Sequence, residues 1–106
     1  MSDAARALNL LGLAARAGLV LPGTERVREA ARNGRLSLAV VARDASDNSR
    51  GKLLPLLQAR RIPFLIEFER VQLGGAVGRA PLGAVGVTDR ALAQRLEQLL
   101  RGARSG

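Results

Sequence analysis

The stretch LVLPGTERVREAARNGR, residues 19–35, turns from a short apolar run through Pro22-Gly23 into a segment crowded with arginine and glutamate. Val27, Ala30, Ala31 and Gly34 fall at i, i+3, i+4 and i+7, which predicts a helix over 24–33 with one small apolar face. Glu25, Arg28, Glu29 and Arg32 take the other side as i, i+3 pairs, each worth about 0.2–0.5 kcal/mol on an exposed helix. One reading is a solvated helix face with weak ion pairs. The other concerns the helix start: Pro22-Gly23-Thr24 lets the backbone turn closely, and unpaired N–H groups at a helix start attract phosphate.

Composition narrows the choice. The chain has 106 residues, enough for one small domain with a core, and 47% are apolar, too many for a disordered chain. Seventeen basic residues oppose nine acidic ones, a formal charge of +8, and every basic residue but Lys52 is arginine. Arginine is always charged and forks onto phosphate, so an excess of this size points to a polyanion. An arginine-rich, GC-biased genome accounts for the preference over lysine but not for the net charge. With two Phe and no Tyr or Trp, the chain lacks a set of aromatic platforms for stacked bases. Cysteine and histidine are both absent, which removes disulfides, thiolate metal sites, histidine acid–base catalysis and the Ser-His-Asp triad together. The longest apolar run, residues 8–21, is interrupted by Asn9 and Arg16, too soon for a membrane span. The start, Met-Ser-Asp-Ala, has no signal-peptide pattern. The expectation is a cytoplasmic protein without cofactor or metal.

Along the chain, helices and strands alternate. Residues 3–17 predict a helix with a stripe of Ala4, Ala7, Leu8, Leu11 and Ala15, closed by Gly18. "LVL" (19–21) is a short strand, and Asn33-Gly34 ends the second helix. "LSLAVVA" (36–42) has no polar alternation and reads as a central strand covered on both faces. Residues 43–52 form a polar stretch with capping residues Asp44, Ser46 and Asp47. The helix "LLPLLQARR" follows, which Pro55 must start or kink. "FLIEF" (64–68) is a strand, 69–77 a short helix, "GRAPLG" (78–83) a loop and "AVGV" (84–87) the last strand. Thr88 then caps a final helix on which Leu92, Leu96 and Leu99 share a face. This order predicts an α/β protein, a three-layer α/β/α sandwich around a mixed sheet of about four strands. It forms one domain over 1–101, with 102–106 as a flexible tail.

Candidate chemistry is sparse. "LGGAVGR" (73–79) could cradle phosphate through backbone N–H groups, but it lacks the P-loop ending and the dinucleotide spacing. Gly75-Ala-Val-Gly78 matches the GXXG of a KH loop in only four residues, and a short glycine-closed helix explains it equally. Asp44 and Asp47 could flank a divalent ion, yet Ser46 and Asn48 beside them favour helix capping. Ser46 and Ser49 have no histidine to activate them, and Lys52 alone makes a poor Ser–Lys dyad. No catalytic set emerges.

The ordered set "LGLAARAGLVLPGTERVREAARNGRLSLAVVARDASDN", "LLPLLQARRIPF", "LGGAVGR" and "GVTD" resembles the kink-turn-binding ribosomal-protein superfamily, the large-subunit L-seven-Ae / L-thirty-e type. It is most similar to the small bacterial YlxQ-like branch, and the resemblance spans about residues 8–96. The resemblance implies an α/β/α sandwich and RNA binding without catalysis. It places the RNA grip in the loop after the first strand and the start of the next helix. There the family pattern is Gly, a variable residue, Asn, Glu, two further residues, then Lys. Here Gly23 is kept, Thr24 is the variable residue, and Glu25, Arg26 and Glu29 stand at the Asn, Glu and Lys positions, with Arg28 between. Arg43 replaces an acidic residue before a kept Asp44, and "GRAPLG", ahead of the last strand, is the second RNA-facing loop. Glu25 could still accept hydrogen bonds from paired guanines, whereas Glu29 puts an anion where a phosphate would be neutralised.

The resulting expectation is a non-enzymatic module that docks structured RNA, ribosomal RNA included, through Gly23, Thr24, Glu25, Arg26, Arg28, Arg43 and Arg79. A protein-interaction module of a ribosomal or RNA-processing assembly is the alternative, and the auxiliary piece of an RNA-modifying enzyme a third. Salt separates the first two. Phosphate contacts lower log affinity by about 0.7–0.9 per unit of log salt for each phosphate neutralised, and a protein contact gives a flat response.

Overall fold

The Ser2 hydroxyl accepts the Ala5 N–H at 3.1 Å and opens α1, Asp3–Arg16, whose Ala7, Leu11 and Ala14 are buried. Gly18, at φ +76°, ends it. Strand β1, Val20–Pro22, follows, then α2, Thr24–Arg32, which buries Val27, Ala30 and Ala31. Next come β2, Leu38–Val41; α3, Asp47–Ala59; β3, Phe64–Ile66; α4, Arg70–Ala76; β4, Ala84–Val87; and α5, Arg90–Ser105. The computed structural model describes residues 1–105, with side chains through 102.

The strands form one sheet in the order β1-β4-β2-β3. β4 runs antiparallel to both β1 and β2, and β2 runs parallel to β3, so the sheet is mixed. β2 and β4 are the inner strands, and every residue of both is buried. That is why "LAVV" and "AVGV" carry no polar alternation. Pro22 lies on the edge strand β1, where a missing N–H costs least. Helices α2 and α3 pack together on one face, and α1, α4 and α5 on the other, which gives the α/β/α sandwich. Gly86 is what lets α2 approach the sheet: a Cβ there would stand 2.6 Å from Leu36 Cδ1 and 3.3 Å from Val27 Cγ2. Gly12 plays the same part for α1, since a Cβ would lie 2.8 Å from the Ala76 carbonyl oxygen of α4.

Most element boundaries shift by a residue or two from the sequence reading, and four differences have a clear local cause or extent. α3 begins at Asp47, inside the stretch read as a polar connection, because the Ser46 hydroxyl accepts the Ser49 N–H at 3.1 Å and nucleates the turn. Pro55 lies inside this helix and does not start it. Pro55 and Gly51, whose carbonyl the proline leaves without its helical N–H, are both exposed, so water can serve that carbonyl. β3 stops at Ile66 because Phe68 takes φ +68° and turns the chain, its carbonyl accepting the Arg43 N–H at 2.8 Å. The last helix is capped by Asp89, which accepts the Leu92 N–H at 2.9 Å, while the Thr88 hydroxyl donates to the Leu19 carbonyl at 3.3 Å. The backbone of α5 stays helical through 102–105, the stretch read as a tail; side chains from 103 on and Gly106 lie outside the described residues.

Candidate nucleic-acid interface

At one end of the sheet, the segments leaving β1, β2 and β3 meet the segment entering β4. Gly23 makes the first turn. Its φ of +102° favours glycine, and its N–H extends the sheet by donating to the Ala84 carbonyl at 2.9 Å. The Gly23 N–H is therefore not free. The free donors are one residue later. No side chain caps α2, and the N–H groups of Thr24, Glu25 and Arg26 carry no hydrogen bond among the described residues. Pro22, Gly23 and Thr24 are half-buried and Glu25 and Arg26 exposed, so nothing covers this helix start.

Neighbouring loops hold it in place. The Thr24 hydroxyl donates to Ser49 Oγ at 3.3 Å, and Ser46 Oγ reaches the same oxygen at 3.1 Å. The starts of α2 and α3 are thereby tied side by side, two positive helix ends at one edge. The 78–83 loop closes the third side. A Cβ on Gly83 would meet Thr24 Oγ1 at 3.2 Å, and Leu82 Cδ2 lies 3.9 Å from the Cβ position of Gly23. Gly74 allows that loop to fold back on α4, since a Cβ there would fall 2.2 Å from the Ala80 carbonyl oxygen.

The charges here are mostly paired. Glu25 takes Lys52 of α3 at 3.1 Å and Arg28 at 3.8 Å, and the Lys52 hydrogen bond and charge hold its carboxyl below the usual glutamate range. Asp44 accepts the first N–H of α4, from Arg70, at 2.8 Å and the Arg70 Nε at 3.4 Å; these bonds, the backbone one foremost, lower its pKa. Arg43, itself exposed, pairs with Glu67, the one buried charged side chain among the described residues. Arg50 donates to the Arg43 carbonyl and braces the same turn. Arg26 and Arg79 remain exposed without an ion pair among the described residues. The Glu29–Arg32 pair expected from spacing does not form there either.

The structure thus places Gly23, Thr24, Glu25, Arg26 and Arg28 on one turn of α2 and Arg43 on the connection out of β2. Arg79 sits at the far end of the third loop, whose other end, Leu82-Gly83, touches that turn. The sequence reading assigns Glu67 and Arg70 no role and weighs Ser49 only as a nucleophile. Glu67 lies in an apparent strand, and its role follows from Phe68 turning the chain, which an apolar β-former gives no reason to expect. Ser49 and Arg70 matter only through partners distant in sequence. No group of three or more carboxylates capable of holding a metal occurs among the described residues. No described helix is long and apolar enough to cross a membrane.

A three-layer sandwich whose loops converge on an open helix start, with cations around it, defines a class of small α/β binding domains. The chain belongs to the ribosomal protein L7Ae/L30e/S12e/Gadd45 family, whose profile matches residues 5–97. It is 35% identical over 91 residues to the RNA-binding protein YlxQ of Bacillus subtilis (strain 168), covering 86% of this chain and 91% of that protein. It is 30% identical over 97 residues to the RNA-binding protein YlxQ of Enterococcus faecium, covering 92% and 93%. A Bacillus halodurans C protein of unknown function superposes with a TM-score of 0.84 at 36% identity, over 90% of this chain and 96% of that one. The Giardia lamblia 15.5kD RNA binding protein superposes with a TM-score of 0.76 over 99% of this chain and 91% of that one; at 17% identity this speaks for the fold alone.

Proposed function

We propose that this chain is a non-enzymatic RNA-binding protein that docks structured RNA on the end of the sheet where α2 begins. The observation that carries the reading is the uncapped start of α2. Three N–H groups carry no hydrogen bond there among the described residues; the exposed Arg26 stands on the same turn, and Arg79 lies farther along the loop that touches it, neither in an ion pair among the described residues. The two YlxQ relatives, each named an RNA-binding protein, support the same class of ligand. In this reading the backbone N–H groups take one phosphate and Arg26 and Arg79 take its neighbours. Glu25, fixed by Lys52 and Arg28, offers a charged acceptor to a base edge, as guanine in a kink would present. Arg43, turned toward Glu67, positions the loop and neutralises no phosphate.

Titration of the protein against a kink-turn RNA and a plain duplex of equal length, over a series of salt concentrations, tests this. RNA docking at this end predicts tighter binding to the kink-turn and a salt slope that drops by about 0.7–0.9 for each of Arg26→Gln and Arg79→Gln. One observation favours a protein-docking role instead: Leu13 on α1 and Val71 on α4 are 60% and 68% exposed, on helices that touch. That role predicts a flat salt response and no preference between the RNAs.

A further inference from the structure

Four arginines without an ion pair among the described residues gather at the opposite end of the molecule from α2's start. An open groove of about 1190 Å³ lies there, formed by the segments that enter β1, β2 and β3 and the one that leaves β4. Arg35, Arg60, Arg61 and Arg90 line it, all exposed, and none makes an ion pair among the described residues. Its one carboxylate, Glu97, is engaged by Arg101 at 3.0 Å. The first end holds Lys52, Arg28, Arg43 and Arg70 against Glu25, Glu67 and Asp44, so its cations are largely spoken for.

A second observation singles out the same place. α1, α2 and α4 are each closed by a glycine in the left-handed region: Gly18 at φ +76°, Gly34 at +71° and Gly78 at +73°. Among the described helix ends, α3 alone is closed by a residue with a side chain, Arg61 at φ +54°. Glycine adopts this conformation without the penalty that a Cβ brings. Arg61 thus carries its guanidinium at the rim of a basic groove on a backbone that glycine adopts more easily.

We infer that this groove is a second RNA-binding site, taking the phosphodiester backbone of a separate RNA segment through Arg35, Arg60, Arg61 and Arg90. The four guanidinium groups have no aromatic platform beside them, so the site reads backbone charge and not bases. The molecule is only 34 Å in its longest dimension, so one copy would hold two RNA segments close together, one at each end of the sheet. The inference rests on RNA being the partner, as proposed above, but not on the interface assigned to the start of α2.

The test uses the full chain, donor-labelled kink-turn RNA and an acceptor-labelled plain duplex, so that energy transfer reports one copy holding both. In Arg60→Gln/Arg61→Gln/Arg90→Gln, duplex affinity at low salt is expected to fall at least about tenfold, and the salt slope by about 0.7–0.9 for each phosphate no longer neutralised. Energy transfer between kink-turn and duplex, present with the unaltered protein, is expected to vanish. Arg61→Gly separates binding from folding. It should raise the melting temperature by about 4–8 °C, by relieving the left-handed strain, and still weaken duplex binding. An unchanged affinity and slope in the triple variant, or no energy transfer with the unaltered protein, overturns the second site and leaves the first reading standing. Failure of the unaltered protein to bind either RNA removes both.

Discussion

Glu25 and Glu29 sit one turn apart on the exposed face of α2, and their surroundings separate them. Glu25 is held by Lys52 and Arg28, whereas Glu29 has no ion pair among the described residues. Glu29→Lys therefore breaks nothing in the fold, and stability should stay within about 0.5 kcal/mol of the parent. If phosphate passes along this turn, the same change should tighten RNA binding and steepen the salt slope by about one phosphate's worth. Equal gains on kink-turn and duplex would mark nonspecific attraction, so both RNAs are titrated. Gly74 makes the opposite kind of prediction. A Cβ there meets backbone, the Ala80 carbonyl oxygen at 2.2 Å, which cannot rotate away. Gly74→Ala should cost about 1–3 kcal/mol, read as a lower urea midpoint. Because it displaces the loop that touches Gly23, it should also weaken RNA binding at temperatures where the variant remains folded.

At the scale of elements, the loops at the α2 end are cross-braced by carboxylates. Glu25 joins α2 to α3 through Lys52, and Asp44 joins the end of β2 to the start of α4 through Arg70. Both carboxyls are lowered from their ordinary values of 4.5 and 3.8. A carboxyl with a lowered folded pKa contributes stability that is present above its unfolded pKa and is lost as pH falls through the folded one. The urea midpoint should accordingly begin to drop below about pH 4.5 and continue below 3.8, and part of that drop should be missing in Glu25→Gln and Asp44→Asn. Both groups are exposed, so the contribution is small and screened by salt. The elements themselves were mostly legible, because periodicity and buried apolar runs depend on neighbours in the sequence. The braces were not, since nothing near Asp44 announces Arg70. Phe68 shows the same limit: only the packed fold forces an aromatic residue to turn the strand out of the sheet. Ser46 was legible as a cap, but Pro55 suits a first helical turn, and the helix starts well before it.

For the whole molecule, the order of helices and strands was enough to read the layered sandwich, and the family resemblance pointed to the α2 end as a candidate site. The distribution of charge was not readable in this way. The spacing of Arg35, Arg60, Arg61 and Arg90 along the chain gives no sign that the sheet gathers them at one end, or that the cations at the other end are largely paired. The central claim concerns the start of α2, and amide NMR reports on it most directly. Uniformly 15N-labelled protein is titrated with kink-turn RNA at moderate salt, and the backbone N–H resonances are followed. Thr24, Glu25 and Arg26 are expected to shift strongly and downfield, as free N–H groups gaining a charged acceptor, together with Gly83, which packs against Thr24. Saturating RNA that leaves the 24–26 amides unmoved while shifts gather on the exposed Leu13–Val71 side of α1 and α4 would contradict that claim.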